Sequence, residues 1–228
     1  MVARREFIHC AGALALPLLL RQRAPATVTV SLLQAPGAQL AADGVMFGME
    51  EAARTYALLD RTIELAETDA LSPGSLAVAL IDEPALEATP ADALVLDARA
   101  RFDDAACSGG RIFRIGSGTP DTLVWHPSLE RYGAAQLNER FRRRTGRDMD
   151  AADWAGWFAI KVVAEAALRA NSTDAGALVV WLLGPRARFD GHKGAPLYFD
   201  ADRRLIQPRY RLTDSSLTDV AAEVSCAR

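Results

Sequence analysis

Cysteine and histidine are scarce in this 228-residue chain, and their spacing argues against several kinds of site. The three cysteines, Cys10, Cys107 and Cys226, form no C-x-x-C pair, so a thioredoxin-like redox centre is not expected. After residue 26 the only histidines are His126 and His192. Neither has an H-x-x-x-H or H-E-x-x-H partner, which argues against a zinc site.

The common catalytic signatures are also missing. The chain has no G-x-S-x-G nucleophile elbow and no P-loop, and no G-x-G-x-x-G follows its first predicted strand. Little in the sequence therefore supports covalent chemistry. We expect no enzymatic activity, no resident cofactor and no metal ion.

Positive charge is too low for nucleic-acid binding. The chain has 26 Lys and Arg against 29 Asp and Glu, a net charge of −3. Its one basic cluster, Arg140 and Arg142 to Arg144, falls at the end of a predicted helix, where cations stabilise the helix dipole. Nucleic acid is therefore not expected as a partner.

The N-terminal segment contains the features of an export signal. Arg4 and Arg5 form a twin-arginine pattern, an apolar run covers Cys10–Leu20, and Ala24–Ala26 supplies an A-x-A cleavage site. The apolar run is too short to span a bilayer comfortably. Residues 1–26 are predicted to be a twin-arginine-like signal peptide and the mature protein periplasmic. A non-cleaved anchor helix is the alternative.

Export affects the two remaining cysteines and the charge. An oxidising compartment permits Cys107 and Cys226 to form a disulfide, and their even number is compatible with one. The sequence leaves open whether the two thiols are paired or free, because it does not show that they are close. The segment 1–26 contains four Arg and one Glu, so its removal leaves a net charge of −6.

The mature chain alternates apolar runs with helical segments. A helix is predicted from about Ala38 to Tyr56, and Pro84 starts a short helix. Alternating strands and helices favour βαβ units. The predicted fold class is α/β, a Rossmann-like parallel sheet with flanking helices. The five predicted strands are Thr27–Leu33, Thr62–Ala66, Leu76–Ile81, Ala93–Asp97 and Arg111–Ile115.

Helices dominate the second half of the chain. Trp154 and Trp157 belong to a broad apolar stripe on one predicted helix, so they are expected in the core. Residues 27–212 are predicted to form a single lobe, and the tail 213–228 to be loose. The predicted elements are a helix ending at Gly146, helices Ala151–Ala170 and Thr173–Leu183, and a β-hairpin of Leu197–Asp200 with Gln207–Leu212.

Polar residues follow three of the predicted strands. In parallel sheets ligands bind beyond the carboxyl ends of the strands, where the strand order reverses. The candidate ligand-binding residues are therefore Gln34, Asp82, Glu83, Asp97 and Arg99. The alternative for each of them is a helix cap or a satisfied turn.

Several motifs resemble the type I periplasmic solute-binding proteins of ABC importers, in the branched-chain amino-acid-binding branch. The resemblance covers most of residues 28–212. The general motifs are Gly44–Tyr56, Thr62–Asp69, Phe189–Gly194 and Leu197–Asp200. A more specific similarity, to binding proteins associated with pyrroloquinoline-quinone-dependent alcohol dehydrogenase systems, rests on Trp125–Asn138, Arg140–Phe141, Asp153–Trp154, Trp157, Lys193–Gly194 and Arg204–Pro208.

The resemblance implies a non-enzymatic small-molecule-binding protein with an ABC permease or a quinoprotein dehydrogenase as partner. The ligand would be a quinone cofactor such as pyrroloquinoline quinone, an alcohol-oxidation product or an amino acid. Trp125 and His126 are further candidate ligand-binding residues, because the predicted fold places them near the loops that follow the strands. An aromatic ring there would cover the ligand. Members of that family are two-lobed, and most of the second lobe is expected to be missing here. The alternative is a periplasmic interaction protein or homodimer that has lost the ligand clamp.

Overall fold

The computed structural model describes residues 27–35, 39–102, 111–119, 121–213 and 216–220. The predicted signal peptide, Cys107 and Cys226 lie outside the described residues. The elements are β1 (Thr27–Gln34), α1 (Gln39–Ala57), β2 (Thr62–Glu67), β3 (Leu76–Leu80), α2 (Glu83–Glu87), β4 (Leu94–Asp97), β5 (Ile112–Arg114), α3 (Ala134–Thr145), α4 (Ala151–Ala170), α5 (Ala175–Leu182), β6 (Phe189–Asp190), β7 (Pro196–Phe199), β8 (Leu205–Ile206), β9 (Arg209–Thr213) and β10 (Ser216–Val220).

A five-stranded parallel sheet forms the centre of the molecule, in the order β2-β1-β3-β4-β5. All five predicted strands are present, and the α/β prediction is confirmed. The chain runs from β1 outward to β2 and then returns past β1 to β3. The order therefore reverses between β1 and β3, and this switch point is where such sheets bind ligands.

One face of the sheet carries the main core, covered by α1, α4 and α5. Helices α1 and α4 approach closely because Gly44 and Gly48 have no side chain. A Cβ on Gly44 would lie 2.0 Å from the backbone oxygen of Asp153. Trp154 and Trp157 are buried in this layer, as predicted.

The other face is only partly covered. Leu86 of α2 packs there on small and branched side chains of β3 and β4. Thr29 of β1 and Glu64 of β2, which are paired in register, are exposed on this face. The cause is the connection from β2 to β3: the structure describes all of it, and it contains no helix. No helix was predicted from the sequence in this connection either, so the structure agrees with the prediction here.

The C-terminal strands pair differently from the predicted hairpin. β7 pairs with β6 and β8, whereas β9 pairs with β10. The loose tail expected from Thr213 is therefore corrected for Ser216–Val220, which form β10. Bridges from Arg114 to Arg204 and from Leu123 to Tyr210 attach this region beside the sheet. None of the helices in the part of the chain that the structure describes has the length and hydropathy of a membrane span.

Candidate functional site

Four charged side chains meet at the carboxyl ends of three neighbouring strands. Glu83 follows β3 and begins α2, Asp97 ends β4, and Arg99 comes two residues later. Arg114 ends β5 and is paired in register with Asp97. Three of these residues are among the predicted ligand-binding residues, and the structure brings all three together with Arg114.

Hydrogen bonds join the four side chains into one network. Arg99 binds Asp97 through two bonds, from Nε to Oδ1 at 2.8 Å and from Nη2 to Oδ2 at 2.7 Å. Arg99 Nη2 also donates to Glu83 Oε2 at 2.6 Å. Arg114 Nη1 donates to Asp97 Oδ2 at 2.9 Å and to Glu83 Oε2 at 3.2 Å. Arg114 Nη2 donates to Glu83 Oε1.

The network has a buried floor and a partly exposed rim. The Asp97 and Arg114 side chains are 1% and 2% exposed, whereas those of Glu83 and Arg99 are 23% and 22% exposed. Two carboxylates and two guanidinium groups give no net charge. A ligand could therefore reach Glu83 and Arg99 but not Asp97.

The ion pairs shift the pKa values of the two rim groups. Desolvation raises the pKa of Glu83, but hydrogen bonds from Arg114 and Arg99 outweigh it, so the pKa lies below its ordinary value. The hydrogen bond to Asp97 raises the pKa of Arg99. Both rim groups are therefore charged at neutral pH.

Arg114 is the residue that sequence reasoning missed. Its guanidinium lies 5.2 Å from the centre of the Phe102 ring, and that of Arg204 lies 5.6 Å from the same ring. A signal for Arg114 was available, since it is a charged residue between Phe113 and Ile115 in a predicted buried strand. A charge at that position requires a buried partner.

Gln34 and Asp82 flank the switch point. Gln34 ends β1 beside Leu80 of β3, and its side-chain Oε1 is buried without a hydrogen-bond partner. Asp82 caps α2, because its Oδ1 accepts from the backbone N–H of Ala85 at 3.2 Å. The helix cap, which the sequence left open as the alternative, is therefore the contact that the structure shows for Asp82.

Trp125 does not cover a ligand site. It is 1% exposed and stacks on Trp154 at 5.9 Å between ring centres. Its indole N–H donates to Asn138 at 2.9 Å. The expectation that this ring closes over a ligand is corrected, because both its surface and its polar atom are used in the core.

His126 makes local contacts. Its Nδ1 lies 2.8 Å from the Ser128 hydroxyl and accepts from the Ser128 backbone N–H at 3.2 Å. These bonds shape the turn that leads towards α3. The structure shows no hydrogen bond from His126 to the four-residue network.

Lys193 connects the C-terminal region to the same strand end. Its Nζ donates to Gln207 Oε1 at 2.5 Å and lies 3.8 Å from the centre of the Trp154 ring. Gln207 Nε2 in turn donates to the backbone oxygen of Ile115 at 2.5 Å. Burial lowers the pKa of Lys193 well below its ordinary value, and the charge of Arg209 adds to this.

Two cavities lie away from the network. One of about 430 Å³ lies between α1 and α4 and includes Glu51, Trp157 and Lys161. The other, of about 410 Å³, lies beside Tyr132 and Arg188. Among the described residues, no group of three or more His, Cys, Asp or Glu side chains is placed to hold a metal ion.

Comparisons with known proteins identify the fold. No protein-family model matches the chain, and neither does any curated protein. An ABC-type branched-chain amino acid transporter from Rhodopseudomonas palustris matches with a TM-score of 0.57 and 12% identity, over 87% of this chain and 93% of that one. An ABC transporter substrate-binding protein from Desulfitobacterium hafniense, in complex with Leu, matches with a TM-score of 0.54 and 12% identity.

The second match covers 85% of this chain and 99% of the other. A branched-chain amino acid transporter substrate-binding protein from Streptococcus pneumoniae, in complex with isoleucine, gives a TM-score of 0.54 at 9% identity, with coverage of 85% and 99%. At these identities the similarity establishes the fold alone. The chain has the type I periplasmic-binding-protein fold.

Proposed function

We propose that this protein is an exported, non-enzymatic component of an ABC import system that binds a small molecule at the carboxyl ends of β3, β4 and β5. The observation that carries the proposal is the network of Glu83, Asp97, Arg99 and Arg114. It is buried below and accessible above, and it lies at the carboxyl ends of the strands, starting from β3 on one side of the switch point.

The charges of the network favour a particular class of ligand. An amino acid brings a carboxylate, and Arg99 is the partly exposed guanidinium group of the network that can bind it. Leucine and isoleucine are bound in two of the structural neighbours. We therefore place branched amino acids first among the candidate ligands.

The finer proposal of a link to quinoprotein alcohol oxidation rests on the motifs around Trp125–Asn138. Pyrroloquinoline quinone, small acids and aldehydes belong among the ligands to be tested for this reason. An ABC permease would be the partner whether the ligand is an amino acid or a compound linked to alcohol oxidation. A quinoprotein dehydrogenase would be a partner only if the link to alcohol oxidation holds.

We also propose that the second lobe of the binding-protein fold is largely missing. β5 ends at Arg114 and α3 begins at Ala134, which leaves no room for a second sheet between them. A single lobe contacts a ligand from one side, so its affinity would be lower than that of a closing clamp.

A thermal-shift screen of the mature protein tests the proposal. A ligand that binds only the folded state raises the melting temperature by mass action. Leucine, isoleucine, pyrroloquinoline quinone, small acids and aldehydes form the panel. We expect a branched amino acid to give a shift that depends on its concentration. If no compound gives a shift at high excess, the protein is not a solute-binding protein.

An interaction protein or homodimer is the second candidate, favoured by the outer face of α5. This helix contains no charged residue, and Val180 is 75% exposed beside the partly exposed Trp181. Exposed apolar surfaces of this kind often contact another protein. Light scattering on the mature protein separates the two functions: a monomer that responds to a ligand supports the first, and an obligate assembly the second.

A further inference from the structure

We propose that the Glu83 carboxylate occupies the position in which Arg99 and Arg114 bind the carboxylate of the ligand, so that ligand and Glu83 compete for the same two guanidinium groups. This inference rests on the proposed function, because it names the chemical group recognised at that site. It makes Glu83 an internal competitor that determines which ligands bind.

The contacts of Glu83 are those of a bound carboxylate. Its Oε1 accepts from Arg114, and its Oε2 accepts from Arg99 at 2.6 Å and from Arg114 at 3.2 Å. Two guanidinium groups from the ends of adjacent strands therefore hold one carboxylate between them. Arg groups arranged in this way are the usual means by which proteins bind a free carboxylate.

Only one of the two acids in the network can leave. Asp97 is the last residue of a central strand, is 1% exposed, and also accepts from the backbone N–H of Arg99 at 3.2 Å. Glu83 is the first residue of a five-residue helix and is 23% exposed. Its carboxylate can turn outward without disturbing the sheet.

If the Glu83 carboxylate turned outward, the remaining side chains of the network would carry excess positive charge. Asp97, Arg99 and Arg114 together carry a net charge of +1, with Arg114 buried at 2% exposure. Arg114 would keep its hydrogen bond to Asp97 but lose its bonds to Glu83. The excess positive charge at a buried position is costly, so another carboxylate would replace Glu83. The ligand class is therefore a small carboxylate, either the α-carboxylate of an amino acid or a simple carboxylic acid.

The first experiment is chemical rescue of Glu83→Ala. Acetate is the probe, and its effect on the melting temperature is compared with that of chloride at equal ionic strength. We expect acetate to raise the melting temperature of Glu83→Ala by several degrees more than chloride does. Glu87→Ala, on the same helix and exposed, is the matched control and should show no such difference, and neither should the wild type.

Equal shifts in acetate and chloride would overturn the proposal. Should Glu83→Ala fail to fold, Glu83→Ser provides the same comparison, because serine also leaves the position of the carboxylate empty.

The second experiment measures affinity by calorimetry for the wild type, Glu83→Gln and Glu87→Gln. Its ligands are leucine and 4-methylpentanoate, which is leucine without the amino group. Removal of an internal competitor raises the apparent affinity, and we expect Glu83→Gln to bind about tenfold more tightly or better. Tightening for both ligands identifies the carboxylate as sufficient, and tightening for leucine alone identifies an amino acid.

The two proposals fail in different ways. If the wild type binds a ligand of the panel and Glu83→Gln binds neither carboxylate more tightly, this inference is wrong and the proposed function stands. If neither protein binds any solute of the panel but acetate rescues Glu83→Ala, the proposed function fails and the carboxylate site stands.

Discussion

Arg114 donates hydrogen bonds to both carboxylate oxygens of Glu83, although the two residues are 31 positions apart in the chain. They come from the ends of two strands, β5 and β3, that flank β4 in the sheet. The pair therefore ties the short helix α2 to the far side of β4. Asp97 lies between them and completes the network from below.

Loss of the buried cation should destabilise the fold strongly. Arg114→Met removes the charge and leaves Asp97 buried, with Arg99 as its remaining guanidinium partner. We expect the free energy of unfolding to fall by about 3–5 kcal/mol. Urea denaturation measures this, and Arg101→Met, at an exposed position nearby, should change it by about 0.5 kcal/mol or less. Similar values for the two variants would show that the network contributes little.

Glu83 should contribute to stability in a defined pH range. Its pKa in the folded state lies below the ordinary value of 4.5, so its contribution is present above pH 4.5 and is lost as the pH falls through the folded pKa. The stability difference between wild type and Glu83→Gln should therefore shrink in acid below pH 4.5. Chemical denaturation at a series of pH values tests this, with Glu87→Gln as the control. A difference that does not change with pH would contradict it.

Trp125→Phe distinguishes a core residue from a ligand-covering residue. The change removes the hydrogen bond to Asn138 and reduces the stacking on Trp154. We expect the free energy of unfolding to fall by about 1–3 kcal/mol. The dissociation constant of any ligand found in the screen should stay the same. A large loss of affinity without loss of stability would restore Trp125 to the site.

The contact between α1 and α4 should not tolerate a side chain at Gly44. The Cβ of Gly44→Ala would overlap the backbone oxygen of Asp153, and backbone cannot move aside as a side chain can. We expect a loss of about 1–3 kcal/mol or more. Gly176→Ala in α5 is the matched control, because the three atoms nearest its Cβ would be side-chain atoms, at 3.2 Å or farther. Equal melting temperatures for the two variants would contradict this view of the contact.

Because of the buried Lys193, the free energy of unfolding should decrease as the pH is lowered from 10.5. Burial holds its folded-state pKa well below 10.5, so between these values the unfolded chain binds a proton that the folded chain does not. Lys193→Met removes this effect, although it also removes the bonds to Gln207 and Pro208. The stability of the variant relative to wild type should therefore improve as the pH falls from 10.5. Lys161→Met, at the other lysine, controls for loss of charge.

Much of the fold could be predicted because apolar periodicity determines it directly. β3 is buried at every position, as its uninterrupted apolar run predicts for a strand inside a parallel sheet. The apolar stripe that contains Trp154 and Trp157 predicted α4 with its observed bounds, Ala151–Ala170, and Asp150 caps its start in the structure. The absence of a helix between β2 and β3 also agrees with the sequence, in which no helix was predicted between these strands.

The C-terminal pairing was harder to predict than the elements themselves. Leu197–Phe199 form a strand as expected, but Leu205 and Ile206 pair with it and not residues 207–212. The turn at Asp200 determines this register, through a hydrogen bond from the Arg204 backbone N–H to Asp200 Oδ1 at 2.9 Å. Such a turn depends on one side-chain contact, which periodicity does not show.

The candidate site was partly predictable from strand order. Glu83, Asp97 and Arg99 follow adjacent strands, so their proximity follows from topology alone. The identity of their partner did not, because Arg114 is inside a predicted strand and its neighbours in sequence are apolar. Trp125 was misplaced for a related reason: its stacking on Trp154 joins two segments whose relative position the sequence does not determine.

The packing of α1 on α4 also affects how the chain folds as it is made. The Tyr56 hydroxyl donates to the backbone oxygen of Ala164, which is 108 positions away. Until α4 has been synthesised, the apolar side of α1 and the main face of the sheet have nothing to pack against. Contacts so distant in sequence slow folding. We therefore expect the sheet to become stable only after most of the chain, including α4, has emerged from the ribosome. N-terminal fragments that end before α4 should aggregate.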